Sequence, residues 1–259
     1  MTRRKSLLAV PAAAGAPLAA ASGSPQILEL RYFQLRNSAD GQGQRTNDYV
    51  RQAFIPAVAR AGGKVHGAFS NFIAPNGPFL LVLSSFDSMA AMDAALQKMA
   101  SDKAYQKELA ALDAKGGLSY VRVETTLLRA FGTMPTVEYP GVDSAKPGRV
   151  FELRRYESNS PVTLQRKIGM FESGGEIGIF RRVGITPVFF GEAIAGSDMP
   201  NLTYLVVYES LAARDKAWQA FLADPEWLKL RGTPGLSDAE IVSNISNVLL
   251  RAAPYSPLR

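Results

Sequence analysis

The apolar and polar residues between positions 27 and 131 change their period several times along the chain. Some stretches alternate, as in a strand with one buried face, and others place apolar residues three or four apart, as in an amphipathic helix. Turn-forming clusters separate them, and the Ala-Pro-Asn-Gly-Pro run at 74–78 is the clearest. The pattern predicts a strand, a helix, two strands, a helix and a strand: 27–35, 47–60, 65–73, 79–86, a helix that begins after Ser88, and 120–131. This is the order of the ferredoxin-like βαββαβ unit.

The helix after Ser88 has specific support in the sequence. Serine is a preferred N-cap residue, and apolar side chains follow it at intervals of three and four residues, which is the spacing of one helix face. We interpret this stripe as part of the hydrophobic core, made of Met89, Met92, Leu96 and Met99.

Residues 150–252 repeat the same order of elements. The predicted strands are 150–156, 188–194, 202–208 and 241–252, and the predicted helices are 163–183, loosened at Gly174-Gly175, and 210–222. The apolar residues expected to face inward from the helix 210–222 are Leu211, Trp218, Phe221 and Leu222.

The two halves also share residues in one register, at a spacing of 122. Residues 80–105 align with 202–227, and the identities include both predicted N-cap serines, Ser88 and Ser210. The Leu-Leu-Arg-Ala run at 127–130 recurs at 249–252. Further matches are Arg60 with Arg182, Gly62 with Gly184, Asp102 with Asp224 and, after one residue of slippage, Glu-Leu-Arg at 29–31 with 152–154. We interpret this self-similarity as an internal duplication.

The duplication predicts how the chain is organised. A four-stranded sheet with both helices on one face leaves its other face to be covered, and two such sheets in one chain can cover each other. We therefore predict an α+β protein of two tandem ferredoxin-like (βαββαβ) units, 25–131 and 149–253, joined by a linker at 132–148. The two units would form an intramolecular pseudo-dimer with the dimeric α/β-barrel fold.

Composition limits the chemistry. The 259 residues are 47% hydrophobic and 20% charged, which is typical of a folded globular chain rather than a disordered one. The absence of cysteine excludes disulfides, a thiolate nucleophile and iron–sulfur or zinc–thiolate sites. Because the chain has one histidine, it cannot build a multi-histidine metal centre alone, and we expect no metal and no cofactor.

Residues 1–21 have the anatomy of an export signal. Arg3, Arg4 and Lys5 form a basic start, a mildly apolar stretch broken by two prolines follows, and Ala-Ala-Ala-Ser at 19–22 provides a small-residue cleavage site. The apolar stretch is too short to span a membrane, so we do not expect it to act as an anchor. After its removal we expect no stable membrane insertion. The segment resembles a twin-arginine signal, which implies a periplasmic or secreted bacterial protein. The alternative is a disordered basic start.

The same segment accounts for much of the basic excess. The chain carries 29 Lys and Arg against 23 Asp and Glu, a net charge of +6, and three of the cations lie in residues 1–21. No block of basic residues and no basic–aromatic stripe is left in the remainder. We therefore expect no nucleic-acid partner.

The second half resembles a known family. The Glu-Leu-Arg-Arg-Tyr run at 152–156, the strand at 205–211 and the Asp-Pro-Glu-Trp run at 224–227 are similar to the motifs of NIPSNAP domains. The first half, 27–131, is a more diverged copy, with Asp-Lys-Ala-Tyr at 102–105 in place of Asp-Pro-x-Trp. The resemblance implies the dimeric α/β-barrel superfamily, which includes cofactor-free monooxygenases, isomerases, decarboxylases and haem enzymes. It supplies no agreed catalytic residues.

The best candidates for ligand binding lie on the first strand of each half. Alternation places Glu29 and Arg31 on one strand face and Leu30 on the other. If the apolar face meets the helices, the charges point at the space between the two sheets, where an arginine could bind an anionic or carbonyl group and a tyrosine could donate a hydrogen bond. The candidates in the two strands are Glu29, Arg31, Tyr32, Glu152, Arg154 and Tyr156. The alternative is a Glu–Arg pair that serves the structure alone. Asp224-Pro225 is interpreted as a helix N-terminus.

His66 is the remaining candidate. It could act as a general base or as a haem ligand. The haem enzymes of the superfamily place their proximal histidine on a late helix, whereas His66 opens a predicted strand. We therefore interpret His66 as solvent-facing or hydrogen-bonded, and we do not predict haem.

Three classes of function stay open at this point. The chain could bind a small molecule between its two sheets, act as a cofactor-independent monooxygenase or isomerase on an aromatic or ketone compound, or serve as a structural or interaction module with a filled barrel. Large residues expected between the sheets fit either an aromatic ligand or a filled core: Phe69, Phe72, Phe189 and Phe190. A homo-oligomer of pseudo-dimers is compatible with each class.

Overall fold

The computed structural model describes residues 23–114, 119–140 and 148–259. The proposed export signal and residues 141–147 of the predicted linker lie outside them. The fold is α+β, with eight strands: β1 Ile27–Gln34, β2 Lys64–Ile73, β3 Phe79–Phe86, β4 Arg122–Ala130, β5 Val150–Glu157, β6 Thr186–Ala195, β7 Asn201–Tyr208 and β8 Asn244–Ala252. The helices are α1 Gln42–Tyr49, which continues through a π-helical turn at Val50–Phe54, α2 Ile55–Ala61, α3 Met89–Ser101, α4 Lys103–Ala114, α5 Pro161–Phe171, α6 Glu176–Val183, α7 Leu211–Ala223, α8 Pro225–Arg231 and α9 Asp238–Ile241.

The eight strands close into one antiparallel barrel. Their order is β1-β3-β2-β8-β5-β7-β6-β4, and β4 pairs with β1 to complete the circle. Each half of the chain supplies four adjacent strands, and the halves meet where β2 pairs with β8 and where β4 pairs with β6. Closure leaves no strand edge open within the barrel.

Strands of this barrel are buried on both faces, one toward the barrel interior and one toward the helices. β3 and β7 are buried along their whole length. The barrel interior is packed with apolar side chains from all eight strands, and at its centre the rings of Phe69 and Phe151 lie 4.9 Å apart. The space between the two sets of strands is therefore filled in its middle. Of the two alternatives that the sequence left open, a ligand cavity or a filled core, the filled core is found in this region.

The four phenylalanines expected between the sheets divide among three environments. Phe69 and Phe189 are in the barrel interior, as predicted. Phe190 points the other way, into the core between the second-half strands and their helices. Phe72 is only partly buried and packs under the Arg251 guanidinium, which lies 3.9 Å from its ring centroid.

The predicted helix faces were partly wrong. On α3, Met92 and Met99 are buried with Ala95 between them, whereas Met89 and Leu96 are 45% and 41% exposed. On α7, Phe221 is buried and Trp218 partly buried, but Leu211 and Leu222 are exposed. In both helices alanine occupies the buried position, because its small side chain lets the helix approach the sheet. The prediction considered only large apolar residues, so it placed the buried face of each helix part of a turn away from its true position.

The helix boundaries follow capping and glycine chemistry. Ser88 and Ser210 accept hydrogen bonds from the backbone N–H of Ala91 and Ala213, which confirms both predicted N-caps. Asp224 caps α8 as predicted, accepting from the N–H groups of Glu226 and Trp227. The predicted helix 163–183 is two helices, because the chain between them adopts a conformation that needs glycine: φ is +80° at Gly175, and a Cβ at Gly174 would lie 2.6 Å from the Met170 carbonyl oxygen.

Two boundaries differ from the sequence prediction by more than two residues, and one helix was not predicted. The first helix begins at Gln42 because polar residues before 47 are buried by hydrogen bonds, such as that from the Thr46 hydroxyl to the Ser119 carbonyl at 2.7 Å. Helix α4 was not predicted, although Asp102 starts it with the same cap as Asp224. The strand predicted over 241–252 begins at Asn244 because a Ser237–Glu240 capping box turns the preceding residues into α9. Across the described residues, we find no helix long and apolar enough to cross a membrane.

Candidate functional site

One end of the barrel is open and forms a pocket of about 570 Å³, which we call the barrel mouth. A volume of this size is within the range of small-molecule sites. The side chains that line it include Tyr32, Phe79, Glu124, Arg155, Asp198 and Val248.

Strand alternation explains how these side chains reach the pocket. On β1, Leu28 and Leu30 point into the barrel interior, so Tyr32, two residues further, points into the mouth. On β5, Leu153 points into the barrel interior, so Arg155, two residues further, points into the mouth at the same end. The pocket is thus the continuation of the barrel interior beyond its packed middle.

Tyr32 is the aromatic donor of the mouth. Its ring meets Phe79 edge to face, with centroids 5.1 Å apart. Burial raises the pKa of Tyr32 to about 12, with Arg155 acting in the opposite direction and Glu124 in the same one. The phenol therefore stays protonated at neutral pH. No hydrogen bond between described residues uses its hydroxyl, so that hydroxyl is available to a ligand.

The charged groups of the mouth are paired. Arg155 donates a short hydrogen bond to Asp198. Glu124 accepts from Gln34 Nε2 at 3.1 Å and forms an ion pair with Arg122. Because each charge has an opposite partner, the pocket favours an uncharged ligand over an ion.

The β6–β7 hairpin fixes the position of Asp198. Asn201 Nδ2 donates to the carbonyl oxygens of Ser197 at 3.1 Å and Asp198 at 3.0 Å. At Gly196, φ is +142° and a Cβ would lie 3.0 Å from the Thr126 side chain, so the hairpin approaches β4 at a position that needs glycine. Hydrogen bonds and close packing therefore fix the wall of the mouth that holds Asp198.

The opposite end of the barrel is closed by the two segments that follow β4 and β8. Val137 and Leu258 both insert into the barrel interior. The Ser256 hydroxyl accepts from the Ala68 N–H at 3.0 Å, and the Leu258 N–H donates to the His66 carbonyl at 3.0 Å. Access to the barrel interior is thus from the mouth.

His66 lies near this closed end and away from the mouth. Its Nε2 is 2.7 Å from Ser85 Oγ and its Nδ1 is 2.8 Å from the Tyr139 hydroxyl. Burial, assisted by Lys64, lowers the pKa of His66 to about 3, so the ring is neutral at physiological pH. Of the two environments predicted for His66, the hydrogen-bonded one is found.

The predicted orientation of the Glu–Arg pairs is wrong. Leu30 and Leu153 point into the barrel, so Glu29, Arg31, Glu152 and Arg154 face the helices instead of the space between the sheets. Arg31 lies over the Phe54 ring at 5.0 Å and donates to Glu29 at 2.6 Å. The reason is that a closed barrel fills its interior with aliphatic side chains, which reverses the face we expected to be apolar.

In the second half, Glu152 is the centre of a buried polar network between strands and helices. It accepts from Arg154 Nη1 at 2.9 Å, Arg214 Nη2 at 2.7 Å, Trp218 Nε1 at 3.1 Å and Asn247 Nδ2 at 3.1 Å. Burial raises its pKa, but the hydrogen bonds and charges of Arg214 and Arg154 outweigh this and lower the pKa of Glu152 to about 2. Glu152 is therefore a carboxylate at neutral pH.

The network continues to a buried lysine. Arg154 Nη2 donates to the Tyr156 hydroxyl at 3.3 Å, and Tyr156 also accepts from Tyr204 at 3.1 Å. Lys167 Nζ lies 5.2 Å from the centroid of the Tyr156 ring. Its carboxylate neighbours are Asp238 at 3.3 Å and the fully buried Glu176 at 3.7 Å. Burial raises the pKa of Glu176 to about 7 against the attraction of Lys167. We call these residues the Glu152 cluster: Glu152, Arg154, Tyr156, Lys167, Glu176, Tyr204, Arg214, Trp218, Asn247 and Asp238.

The structure therefore separates the candidates from sequence into three places. Tyr32 lines the mouth, His66 lies near the closed end, and the four charged residues and Tyr156 lie under the helices. Arg155, Glu124 and Asp198 were missed as mouth residues. Counting two residues on from Leu153 would have found Arg155, whereas Asp198 comes from a hairpin that strand patterns do not place. The described residues contain no group of three or more side chains able to hold a metal ion.

Comparison with protein families identifies the second half. Residues 151–257 match the NIPSNAP family model. The second half of the chain is a NIPSNAP domain. This confirms the resemblance seen in its strand and Asp-Pro-Glu-Trp motifs. The match does not extend to residues 27–131, and no curated protein matches the chain.

Solved structures share the fold that carries this NIPSNAP domain. A candidate monooxygenase from Lactobacillus acidophilus is 11% identical, with a TM-score of 0.57, covering 88% of this chain and 94% of that one. An anthrone oxidase-like protein is 8% identical, with a TM-score of 0.53, covering 92% and 94%. A NIPSNAP-like domain protein from Burkholderia xenovorans is 24% identical over 42% of this chain and 89% of its own, with a TM-score of 0.37. The first two show that the whole barrel architecture occurs in a candidate monooxygenase and in an anthrone oxidase-like protein.

Proposed function

We propose that this NIPSNAP-domain protein binds a small, uncharged aromatic compound with an oxygen acceptor in the barrel mouth. The observation that carries the proposal is the Tyr32 hydroxyl, which faces an open pocket of about 570 Å³ without an internal acceptor. Phe79 offers an aromatic edge beside it. A carbonyl or hydroxyl oxygen would accept from Tyr32, and the ring would pack on Phe79 and Val248.

The pairing of charges supports an uncharged ligand. A carboxylate in the mouth would have to compete with Asp198 for Arg155, and a cation would have to compete with Arg122 for Glu124. A neutral ligand displaces neither partner, so it avoids the cost of leaving a partly buried charge unpaired.

The first test is native mass spectrometry of the chain purified from an exporting host, to detect a retained compound. Acetophenone and anthrone, two uncharged aromatic ketones, are then titrated by ligand-observed NMR. We expect Tyr32→Phe to weaken binding about fivefold, the equivalent of one hydrogen bond. Tyr120→Phe is the matched control, because Tyr120 packs on Phe33 in the helix-side core of the first half. Equal affinity in the wild type and Tyr32→Phe would contradict the hydrogen bond from Tyr32, and no binding at all would favour an interaction module with a filled barrel.

A cofactor-independent isomerase or monooxygenase is the second candidate. Glu124 lies in the same pocket as Tyr32, and its charge acts on the Tyr32 phenol. For an isomerase, Glu124 would take the proton next to a carbonyl group while Tyr32 hydrogen-bonds the resulting enolate oxygen. Incorporation of deuterium from solvent into the acetophenone methyl group tests the proton step, and oxygen uptake with anthrone tests the oxygenase. Glu124→Gln should abolish either activity while leaving ketone binding in place.

We also propose the finer architecture that the sequence predicts, two ferredoxin-like units joined as a pseudo-dimer within one chain. Support comes from the strand order, in which each half supplies four adjacent strands, and from the matching position of helices in both halves. Size-exclusion chromatography with light scattering separates a monomeric barrel from a homo-oligomer of such barrels.

Export through a twin-arginine signal is a further part of this proposal. Its support is the sequence of residues 1–21 alone. Replacing Arg3 and Arg4 with lysine should retain the full-length chain in the cytoplasm of a bacterial host, whereas the unchanged chain should appear in the periplasm without its first 20 or so residues. Cytoplasmic retention of both chains would contradict export.

A further inference from the structure

We propose that Arg155 is a second hydrogen-bond donor of the barrel mouth and determines its specificity, because it binds an oxygen at the end of the ligand opposite the one that Tyr32 binds. The ligand class is then an uncharged aromatic compound with an oxygen acceptor at each end, such as an aromatic dicarbonyl. This inference rests on the function proposed above and narrows the range of compounds that the mouth would bind.

The two donors occupy equivalent positions in the two halves of the chain. Tyr32 directly follows the Glu-Leu-Arg run at 29–31, and Arg155 directly follows the run at 152–154. Their strands, β1 and β5, have three strands between them in either direction around the barrel. Strands placed in this way form opposite walls, so Tyr32 and Arg155 extend into the mouth from opposite sides.

One small molecule can contact both walls. The interior of an eight-stranded barrel is only wide enough for side chains or for one small ligand. Burial raises the pKa of Tyr32, and the charge of the Arg155 guanidinium opposes this effect. The phenol and the guanidinium are therefore close enough to interact across the mouth.

Arg155 has N–H groups that the protein does not use. Both of its hydrogen bonds to described residues come from Nη1, which donates to Asp198 and to Ser197 Oγ. No acceptor among the described residues is bonded to Nη2, which carries two N–H groups. The side chain is 20% exposed, so the protein does not enclose it completely. A carbonyl oxygen could accept from Nη2 while Asp198 keeps its bond to Nη1.

The guanidinium is held in position before a ligand arrives. Asp198 binds Nη1, and Asp198 is itself held in the β6–β7 hairpin by the hydrogen bonds of Asn201 Nδ2. Because the arginine side chain is already ordered, a ligand that binds Nη2 loses little of its binding free energy to ordering it. Arg155 is thus a preorganised donor.

Two ligands of similar shape separate the contribution of Arg155 from that of Tyr32. 1,4-Diacetylbenzene has a carbonyl group at each end, and 4-isopropylacetophenone has an apolar group of the same shape in place of one of them. Both are titrated into the full chain and followed by ligand-observed NMR. We expect Arg155→Met, which removes the donor and keeps an unbranched side chain, to weaken binding of 1,4-diacetylbenzene about tenfold and that of 4-isopropylacetophenone by less than about twofold, since a hydrogen bond to a charged group is lost in the first case only. Tyr32→Phe should weaken binding of both.

Arg181→Met is the matched control. Arg181 also pairs with one carboxylate, that of Glu138, but it lies on α6 outside the mouth, so its replacement should change neither affinity. Circular dichroism and the unfolding midpoint establish that Arg155→Met is folded.

The outcomes distinguish this inference from the function on which it rests. If Arg155→Met weakens binding of both ligands equally, Arg155 has only a structural role, and if it weakens neither, Arg155 does not contact the ligand. Either result overturns the inference and leaves binding at Tyr32 in place. A wild-type chain that does not bind 4-isopropylacetophenone would contradict the proposed function and this inference with it.

Discussion

The two halves of this chain have the same arrangement of strands and helices, which we call the frame. They differ in the side chains that pack between the strands and the helices. In the first half Arg60 pairs with Asp102 across α2 and α4, and in the second Arg182 pairs with Asp224 at the corresponding place. Strands β1 and β5 have the same sequence of buried and partly buried positions. The surface ion pairs and the burial of the first strands thus correspond in the two halves, so each half serves as a control for the other.

The difference is centred on two equivalent carboxylates, Glu29 and Glu152. Both are almost fully buried and both bind the arginine two residues later. Among the described residues, Glu29 accepts hydrogen bonds from Arg31 only, whereas Glu152 also accepts from Arg214, Trp218 and Asn247. One fold therefore accommodates a minimal ion pair and an extended network at the same position, and the network is a feature of the NIPSNAP domain alone.

The largest expected effect comes from removing these carboxylates. Glu152→Ala removes the shared partner of two guanidinium groups and the acceptor of Trp218 Nε1 and Asn247 Nδ2, and we expect it to lower the free energy of unfolding by about 3–5 kcal/mol. Glu29→Ala removes the partner of a single arginine, so the loss should be clearly smaller. Urea unfolding followed by circular dichroism measures both. Equal losses would mean that the extended network adds nothing to the pair.

The next effect is a dependence on pH that comes from Glu176, whose counterpart in the first half is Phe54. Because the folded pKa of Glu176 is raised to about 7 from its ordinary value near 4.5, folding retains its proton and the associated stability is present at low pH. This contribution is lost as pH rises from about 4.5 to 7. His66 acts in the opposite sense, because its pKa is lowered to about 3 and stability therefore rises with pH up to about 6.5. The test is thus the difference in urea midpoint between Glu176→Gln and the wild type, which we expect to change between pH 4.5 and 7, whereas the difference for Asp93→Asn, at an exposed position of α3, should stay constant. A Glu176→Gln difference that is the same at both pH values would contradict the prediction.

A smaller effect is expected when second-half residues are replaced by their first-half counterparts. Arg214→Met with Trp218→Leu leaves Glu152 with Arg154 and Asn247, close to the environment of Glu29. We expect a loss of about 2 kcal/mol or less, with cooperative unfolding retained, since apolar packing replaces part of the polar network. The reciprocal change, Met92→Arg with Leu96→Trp, places the second-half residues at the corresponding positions of the first half and serves as the control. Loss of folding in the first variant would show that the network is required for the second half to fold.

The smallest effect should be equal in the two halves. Arg60→Ala removes one ion pair at the surface, and Arg182→Ala removes the equivalent pair together with a second one to the exposed Glu226. Both arginines are about half exposed. Exposed pairs are screened by solvent, so both losses should be small and similar in thermal unfolding. A large difference between them would mean that the two frames are less alike than their geometry indicates.

Local rules allowed much of the frame to be predicted. Ser88, Ser210 and Asp224 act as caps because an oxygen one residue before a helix satisfies its free N–H groups. The glycine pair at 174–175 separates α5 from α6 because Gly175 takes a left-handed conformation and the backbone at Gly174 leaves no room for a side chain. Helix faces were less predictable, since Ala95 and Ala217 mark the buried side without a strong apolar signal.

What the sequence determined by itself was the order of the eight strands and of the longer helices, the capped helix starts, and which residues share a strand face, because these depend on neighbours within a few positions. Only the tertiary structure decided which face is inside. Alternation keeps Glu29 with Arg31 and Glu152 with Arg154, but a closed barrel buries both faces of each strand, and its narrow interior accepts the leucines while the charges lie under the helices. The barrel mouth and the Glu152 cluster are assembled from strands, helices and a hairpin far apart in the chain, so their chemistry appears only when the barrel closes.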